Sequence, residues 1–511
     1  MITYDLDRRA PHQPKYEYLY RCIRRDVRTG ALPAGTRLPS RRTLAAHLTT
    51  SVSTVEHAYE LLVSEGYVVA RAGSGFYVAP NRSQGVFEGT GDGFGRDDDP
   101  AGADAPGDAG GKHVAAGSPG PGRAAGAAAG GHAFAGEPDH IDFRANWCSM
   151  DLFPAETWAR IMRKTLSDRN EALFRTVPFN GLAELRRAIA AYLYEFKGMR
   201  CSPDRIVVGA GTEYLYGRLL QLFGPGTIIA IGDPGYKKLA QVSRHAGILW
   251  NYVPLDGEGL STGFLRQNPA DVVHASPANA FPTGIVMSAA RRRELLDWLH
   301  ADPSRFLIED DYDSELRFAG HALPSLFTQD DSDRVIYLNT FSKTLVPSLR
   351  ISYMVLPETL MDLYRSQMSF YSCTVSSFEQ LALAEFISQG HFERHINRLT
   401  RYYRRQRAAM VDALAASDLA RIATFQVPDV GTHLIASVRT RMSDEAVKRA
   451  ARRRSMNLAM LSDYYVRPVA RDAHRVVINF ASIGPDQLDL AVGLLADVFR
   501  ADIDRASQAG A

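Results

Sequence analysis

The sequence predicts an α/β body with a doubly wound, mostly parallel sheet, preceded by a small helical module that ends in a β-ribbon. Three observations carry this expectation. In residues 141–511 short apolar runs alternate with helical stretches, the rhythm of βαβ units whose ligands sit at strand ends. In residues 1–80 a longer helical pattern leads into two short ones and then two alternating segments. Between them, Gly89–Gly131 holds 14 glycines and 11 alanines in 43 residues, with almost no large apolar side chains. Such a stretch cannot bury enough surface to offset chain entropy, so residues 81–140 are expected to form a flexible linker.

Within the first module, Tyr16, Leu19, Tyr20, Ile23 and Val27 recur at helical spacing over 16–29, and Gly30 ends the pattern. Ser40 caps a helix over Arg41–Leu48, and a second helix runs Ser53–Ser64 to Gly66. Tyr67–Ala70 and Phe76–Ala79 alternate like strands around Gly73-Ser74-Gly75, a hairpin turn. That order is a winged helix. In the body, strands are expected at Arg205–Val208, Thr227–Ile231, Asp271–His274, Phe306–Ile308, Val335–Asn339 and Ile351–Val355. Helices are expected at Leu182–Phe196 and Ala289–His300.

Bulk properties exclude several classes. At 511 residues the chain exceeds one ordinary domain. Hydrophobic residues at 45% and charged residues at 23% are those of a water-soluble globular protein, and no apolar run reaches membrane-span length. Met1–Ala10 lacks the apolar core of a secretory signal. Cys22, Cys148, Cys201 and Cys373 lie far apart without metal-ligand spacing, so free thiols in a reducing cytoplasm and no metal are expected. Net charge is only +2, but it is uneven: Arg8 to Arg82 contains 12 basic residues against 5 acids. A local excess of that size suits phosphate binding, with a solvated basic face as the plain alternative.

The segment Thr340-Phe341-Ser342-Lys343 follows one strand-like run directly, and Asp310-Asp311-Tyr312-Asp313 follows another. A hydroxyl-flanked lysine, with Arg350 seven residues on and an acid–tyrosine pair upstream, supplies what pyridoxal 5'-phosphate needs. The amine of Lys343 would form a Schiff base with its aldehyde. Thr340, Ser342 and Arg350 would hold a phosphate dianion, the arginine with a rigid fork of donors. A carboxylate would keep the pyridine nitrogen protonated. Gly211 and Thr212, at a glycine-rich strand-to-helix turn, would aim amides at the same phosphate.

Several motifs together carry a family resemblance over nearly the whole chain. Leu38-Pro39-Ser40-Arg41-Arg42-Thr43-Leu44-Ala45, Thr54-Val55-Glu56-His57-Ala58-Tyr59 and Gly73-Ser74-Gly75-Phe76-Tyr77-Val78 resemble the GntR winged helix. Asp233-Pro234-Gly235-Tyr236, Phe281-Pro282-Thr283-Gly284, Ile308-Glu309-Asp310-Asp311-Tyr312-Asp313-Ser314-Glu315 and the Lys343 segment resemble a type I aminotransferase. The whole resembles the MocR subfamily of GntR-type bacterial regulators, including the branch that controls pyridoxine synthesis. The resemblance implies a type I aminotransferase-like sheet with a smaller C-terminal α/β subdomain and a head-to-tail homodimer. It makes Lys343 the Schiff-base lysine and Asp310 the partner of the pyridine nitrogen, with Asp311 and Asp313 as competitors. Tyr312 would bond the phenolic oxygen, and Tyr236 would stack on the ring or simply pack.

Departures from the family pattern bear on the ligand. The asparagine usual before Pro-Thr-Gly is replaced by Phe281, with Asn279 two residues earlier. Lys238 and Asp463 stand where amino-acid-sensing members clamp a carboxylate, and an aspartate repels one. Arg175 sits where the fold often places a tyrosine reaching the neighbouring subunit's phosphate. On the DNA module, Ser40, Arg41, Arg42, Ser51, Ser53, Thr54 and His57 are candidates for phosphate and base contacts. Gly75 would let the wing approach the minor groove, whereas Val52 replaces an arginine common in GntR helices. The expected function is therefore a ligand-sensing regulator of double-stranded operator DNA, sensing pyridoxal phosphate itself or an amine or amino compound. An active aminotransferase with an accessory DNA module is the competing expectation.

Overall fold

The computed structural model describes residues 4, 6, 14–28, 31–64, 67–71, 74–79, 140–144, 150–168, 171–242, 246–318, 323–466 and 474–509. The linker expected over 81–140 falls almost wholly outside them, as do Gly30, Gly66 and Gly73.

The first module folds as helices α1 (Lys15–Arg28), α2 (Arg41–His47) and α3 (Val52–Ser64), then strands β1 (Val68–Arg71) and β2 (Gly75–Val78). The strands pair antiparallel, Val68 opposite Val78 and Arg71 opposite Gly75. Ser40 caps α2 as expected, its Oγ accepting from the Thr43 amide at 3.1 Å. Leu19, Ile23, Leu44, Val55, Ala58, Tyr59 and Leu62 are fully buried and form one core. Tyr59 keeps its hydroxyl satisfied there by donating to the Pro39 carbonyl at 2.9 Å.

The body is built on eight strands. In chain order they are β3 (Ile206–Gly209), β4 (Ile228–Asp233), β5 (Leu249–Asp256), β6 (Gly259–Leu260), β7 (Val272–Ala275), β8 (Phe306–Asp310), β9 (Val335–Thr340) and β10 (Ser352–Val355). Across the sheet the order is β3-β10-β9-β8-β7-β4-β5-β6. From β9 to β5 the pairs are parallel, whereas β10 runs antiparallel to both neighbours. Successive residues face opposite layers, as the two-residue period of a strand requires. Val208, Tyr337, Tyr353 and Val355 meet Leu185, Ile189 and Leu193 of α4 (Ala183–Lys197). Val207, Ile336, Leu338 and Met354 meet Leu215 and Leu219 of α5 (Thr212–Phe223) on the other face. Helices on both faces make the sheet doubly wound, as expected from the sequence.

The sequence reading omitted β5, whose residues are mostly exposed or half-buried near the sheet edge and so carry little apolar signal. A C-terminal subdomain follows the 26-residue helix α6 (His391–Ala416). Its four strands, β11 (Ala423–Gln426), β12 (His433–Val438), β13 (Ala459–Met460) and β14 (Arg475–Asn479), lie in the order β11-β12-β14-β13 and share a core with α6. None of the described helices is long and apolar enough to cross a membrane.

Because Leu44 is fully buried at the centre of a small core, Leu44→Ala is expected to destabilise the DNA-binding module by about 2–5 kcal/mol. Urea unfolding followed by helical circular dichroism checks this. Loss of stability should appear in the module's transition while that of the large sheet stays in place.

Candidate functional site

The carboxyl ends of β4, β7, β8 and β9 open into one pocket of about 330 Å³. Eight of the residues singled out from the sequence line it: Thr212, Tyr236, Asp310, Tyr312, Thr340, Ser342, Lys343 and Arg350. Lys343 sits in the turn after β9, anchored by the buried side chains of Phe341 and Leu345 on either side. Burial disfavours its ammonium and pulls its pKa below the ordinary value, against the attraction of Asp313 and Asp310. A lysine so placed is a better nucleophile than one in water.

The three neighbouring aspartates separate cleanly. Asp310, the last residue of β8, lines the pocket, with His274 Nε2 of β7 3.4 Å from its Oδ2. Asp311 turns away and meets Lys197. Asp313 turns beneath the pocket, where Asn279 donates to it at 2.7 Å. Burial pushes the Asp313 carboxyl up to about 8, with Asn279 and Lys343 opposing. Asn279 is itself buried and does not line the cavity. Tyr312 is held protonated by burial and by the neighbouring carboxylates, so its hydroxyl is a donor.

An anion cradle lies opposite. Gly211 has φ 94 and precedes α5, and a Cβ there would overlap the Arg350 guanidinium. Only glycine permits both that backbone and that approach. Thr340 Oγ1 accepts from the Ser342 amide at 3.2 Å and from Ser352 Oγ at 2.8 Å, and Ser352 lies 3.4 Å from Thr212 Oγ1. Ser352 was not read from the sequence; it is one hydroxyl in an ordinary strand pattern. His274 was missed for the same reason.

Polar groups are left over around this pocket. Ser342 Oγ and Tyr312 Oη are buried without a hydrogen-bond partner among the described residues. Buried polar atoms are normally satisfied, so these ask for a ligand. Glu213, on the pocket wall, pairs with Lys238 at 2.5 Å, whereas Asp463 does not line the pocket and is held by Lys448 at 2.6 Å while accepting from the Met460 amide at 2.9 Å. Arg175 lies outside the pocket and is exposed, next to Phe174 at 86% exposure.

On the winged helix, Ser40, Arg41, Arg42, Ser51, Ser53 and His57 are exposed, and Thr54 is half-buried. Arg41 ion-pairs with Glu56 and lies over the Phe76 ring, linking α2, α3 and the ribbon. Ser51 bonds Ser53 and Thr54 at 3.0 and 2.8 Å, and His57 packs edge-on against Tyr16. Gly75 has φ 111, and the side chain of Arg37 lies beside it.

A nucleophilic lysine, an acid, a protonated tyrosine and an anion cradle at strand ends, joined to a winged helix, define a DNA-binding regulator with an aminotransferase-like body. Residues 138–494 match the family described as aminotransferase class I and II, and residues 15–78 match the gntR family of bacterial regulatory proteins. The uncharacterized HTH-type regulator YdeL of Bacillus subtilis is 35% identical over 78% of this chain and 79% of its own. The probable rhizopine catabolism regulatory protein MocR of Rhizobium meliloti is 31% identical over 97% of this chain and 96% of its own. The pyridoxine biosynthesis regulator PdxR of Corynebacterium glutamicum is 27% identical over 95% and 97%. Among solved structures, a kynurenine aminotransferase of Pyrococcus horikoshii shares the fold, with TM-score 0.64 at 23% identity over 71% of this chain and 91% of that one. The chain therefore belongs to the MocR subfamily of GntR-type transcriptional regulators, whose aminotransferase-like fold binds pyridoxal phosphate. The residues present fit that group: the orphaned hydroxyls and the cradle closed by Gly211 and Arg350 match an aromatic phosphate ester.

Gly211→Ala is expected to displace Arg350 and to weaken pyridoxal phosphate binding by about tenfold or more, the loss of one charge-assisted contact. Equilibrium dialysis at fixed pH measures it. Unchanged affinity would mean that the cradle does not hold the phosphate.

Proposed function

We propose that the body holds pyridoxal phosphate on Lys343 and that its liganded state sets how two winged helices engage an operator. The observation that carries this is the pocket itself. It gathers a nucleophilic lysine, an acid and an arginine cradle, while the positions able to clamp a substrate carboxylate are engaged elsewhere. When bound, the cofactor supplies an aldehyde to the lysine and an electron-withdrawing ring. Asp310, beside His274, would hold the pyridine nitrogen, and Tyr312 would donate to the phenolic oxygen. Thr340, Ser342, Gly211, Thr212 and Arg350 would hold the phosphate, and Tyr236 would cover the ring. Asn279 would act through Asp313, which it fixes from below.

An aminotransferase needs its substrate carboxylate oriented. Here Lys238 is neutralised by Glu213, and the position of the second clamp is Asp463. The regulator is therefore favoured over the enzyme. We take its effector to be pyridoxal phosphate itself or an amine that reacts with the aldehyde; relatives named for rhizopine catabolism and for pyridoxine synthesis stand at 31% and 27% identity. We also infer a head-to-tail homodimer acting in the cytoplasm. Arg175, beside Phe174, would reach the partner's phosphate. The linker over 81–140 would set the reach of each winged helix rather than a fixed spacing.

Borohydride reduction of the purified holoprotein is expected to fix the cofactor to Lys343, which peptide mass mapping checks. Attachment to any other lysine would overturn the assignment. On DNA, Arg42→Ala is expected to weaken binding to all sequences and to lower the salt slope by about one, because a phosphate contact releases a counterion. Thr54 or His57 substitutions should instead change preference among operators. Operator affinity or footprint is expected to change when cofactor or effector is added and to stop changing in Lys343→Ala. Transamination of common amino acids at ordinary enzyme rates, with DNA binding indifferent to every ligand, would establish the enzyme instead.

A further inference from the structure

Lys197 ends α4, where a lysine ordinarily reaches into water. Here Gly198 turns the chain at φ 64, and the Lys197 side chain is only 14% exposed. Its Nζ lies 2.7 Å from Asp311 Oδ2, 2.7 Å from Glu315 Oε1, 2.9 Å from Ser314 Oγ and 3.0 Å from Tyr337 Oη. Both carboxylate side chains are more enclosed still, at 8% and 5% exposure. Tyr337 donates to Asp311 at 2.6 Å, while Asn339 and Tyr192 donate to Glu315 at 3.2 and 3.3 Å. One cation and two anions are thus locked together behind the segment whose other residues, Asp310 and Tyr312, form the pocket wall.

A buried ion cluster is poor evidence for stability, because well-packed apolar residues often serve as well or better. What charges can do, and apolar groups cannot, is fix a polar segment in one register and set the local field. Both matter here, because the segment from 310 to 315 carries four acids within reach of Lys343 or of one another. Lys197 keeps Asp311 charged: burial alone would raise that carboxyl, and Lys197, Tyr337 and Ser314 together hold it below the ordinary range. The field of Asp311 and Glu315 in turn reaches Asp313, which faces Lys343.

We propose that Lys197 is a positioning residue for the cofactor, holding Asp311, Ser314 and Glu315 so that Asp310 and Tyr312 face the ring, and offsetting the negative charge beneath Lys343. This rests on pyridoxal phosphate occupying the pocket on Lys343. The groups facing Lys197 are Asp311, Glu315, Tyr192, Tyr337 and Tyr353; burial keeps all three tyrosines protonated. The groups facing Lys343 are Asp310, Asp313 and His433, the last kept neutral by burial with its pKa at about 4. Without Lys197 the field at Lys343 becomes more negative, and the Lys343–cofactor nitrogen should hold its proton to higher pH.

The test uses full-length holoprotein, with absorption of the Lys343 linkage titrated against pH and cofactor affinity measured by dialysis. K197M is expected to raise the titration midpoint by about half a unit or more and to weaken cofactor binding by about tenfold. The double variant K197M/E315Q, which removes one negative charge with the positive one, should bring the midpoint back toward wild type. E315Q alone should move it the other way, which keeps the test decisive if K197M does not fold. A lysine with only a structural role would lower the thermal midpoint and leave the titration in place, and that result overturns the inference. So would a double variant that titrates like K197M. Wild-type protein carrying no linkage on Lys343 would overturn the functional reading and this inference together, whereas a normal wild type with an unshifted K197M overturns the inference alone.

Discussion

The charge balance around a partly buried lysine is the constraint on which the rest of the body depends. Taking an amine out of water disfavours its charge, and Lys343 is placed where this happens without an ion pair being closed on it. That requires acids nearby that do not collapse onto the lysine. Asp310 is set beside His274, Asp311 is paired with Lys197 and Asp313 accepts from Asn279, so the three acids have three different neighbours. The parallel sheet supplies the frame, since adjacent strands deliver β7, β8 and β9 to one edge in register: His274 stands opposite Ile308, and Leu338 opposite Asp310.

Much of this was legible in sequence because the informative residues are tied to local chain features. Lys343, Ser342 and Thr340 follow an apolar strand, Gly211 and Thr212 open a helix, and Ser40 caps one. Such features depend on a few consecutive residues and survive any tertiary context. Among the three aspartates the resemblance favoured Asp310, and the chain after β8 agrees by keeping a two-residue alternation: Asp310 and Tyr312 line the cavity, while Asp311 and Asp313 turn away to Lys197 and Asn279.

The unread residues share a different property. Lys197 ends an amphipathic helix and would pass for a solvated charge. Its partners are 114 and 118 positions away, separations at which no periodicity speaks. Ser352 and His274 are single polar residues in buried strands, indistinguishable by pattern from ordinary satisfied core groups. Glu213 is the opposite case. It directly follows Thr212 in a motif that had been noticed, but its pairing with Lys238 depends on where α5 and the Pro-Gly-Tyr turn meet.

How the pocket could influence anything beyond itself follows from what forms its outer wall. The C-terminal subdomain touches the rim directly: the Gly235 amide donates to the Tyr464 carbonyl at 3.2 Å, and the Val466 amide donates to Asp233 at 2.9 Å. Phe281, on the pocket wall, packs edge-on against Tyr464 and His433 of that subdomain, with ring centroids 5.0 and 5.5 Å apart. A ligand seated between Tyr236 and Phe281 therefore meets groups that the subdomain also holds. Ligand binding shifts an equilibrium only by its differential affinity for two arrangements. A pocket wall shared between two packed units is where such a difference can arise, because a sub-ångström change in the fit of Phe281 must be taken up by one unit or the other.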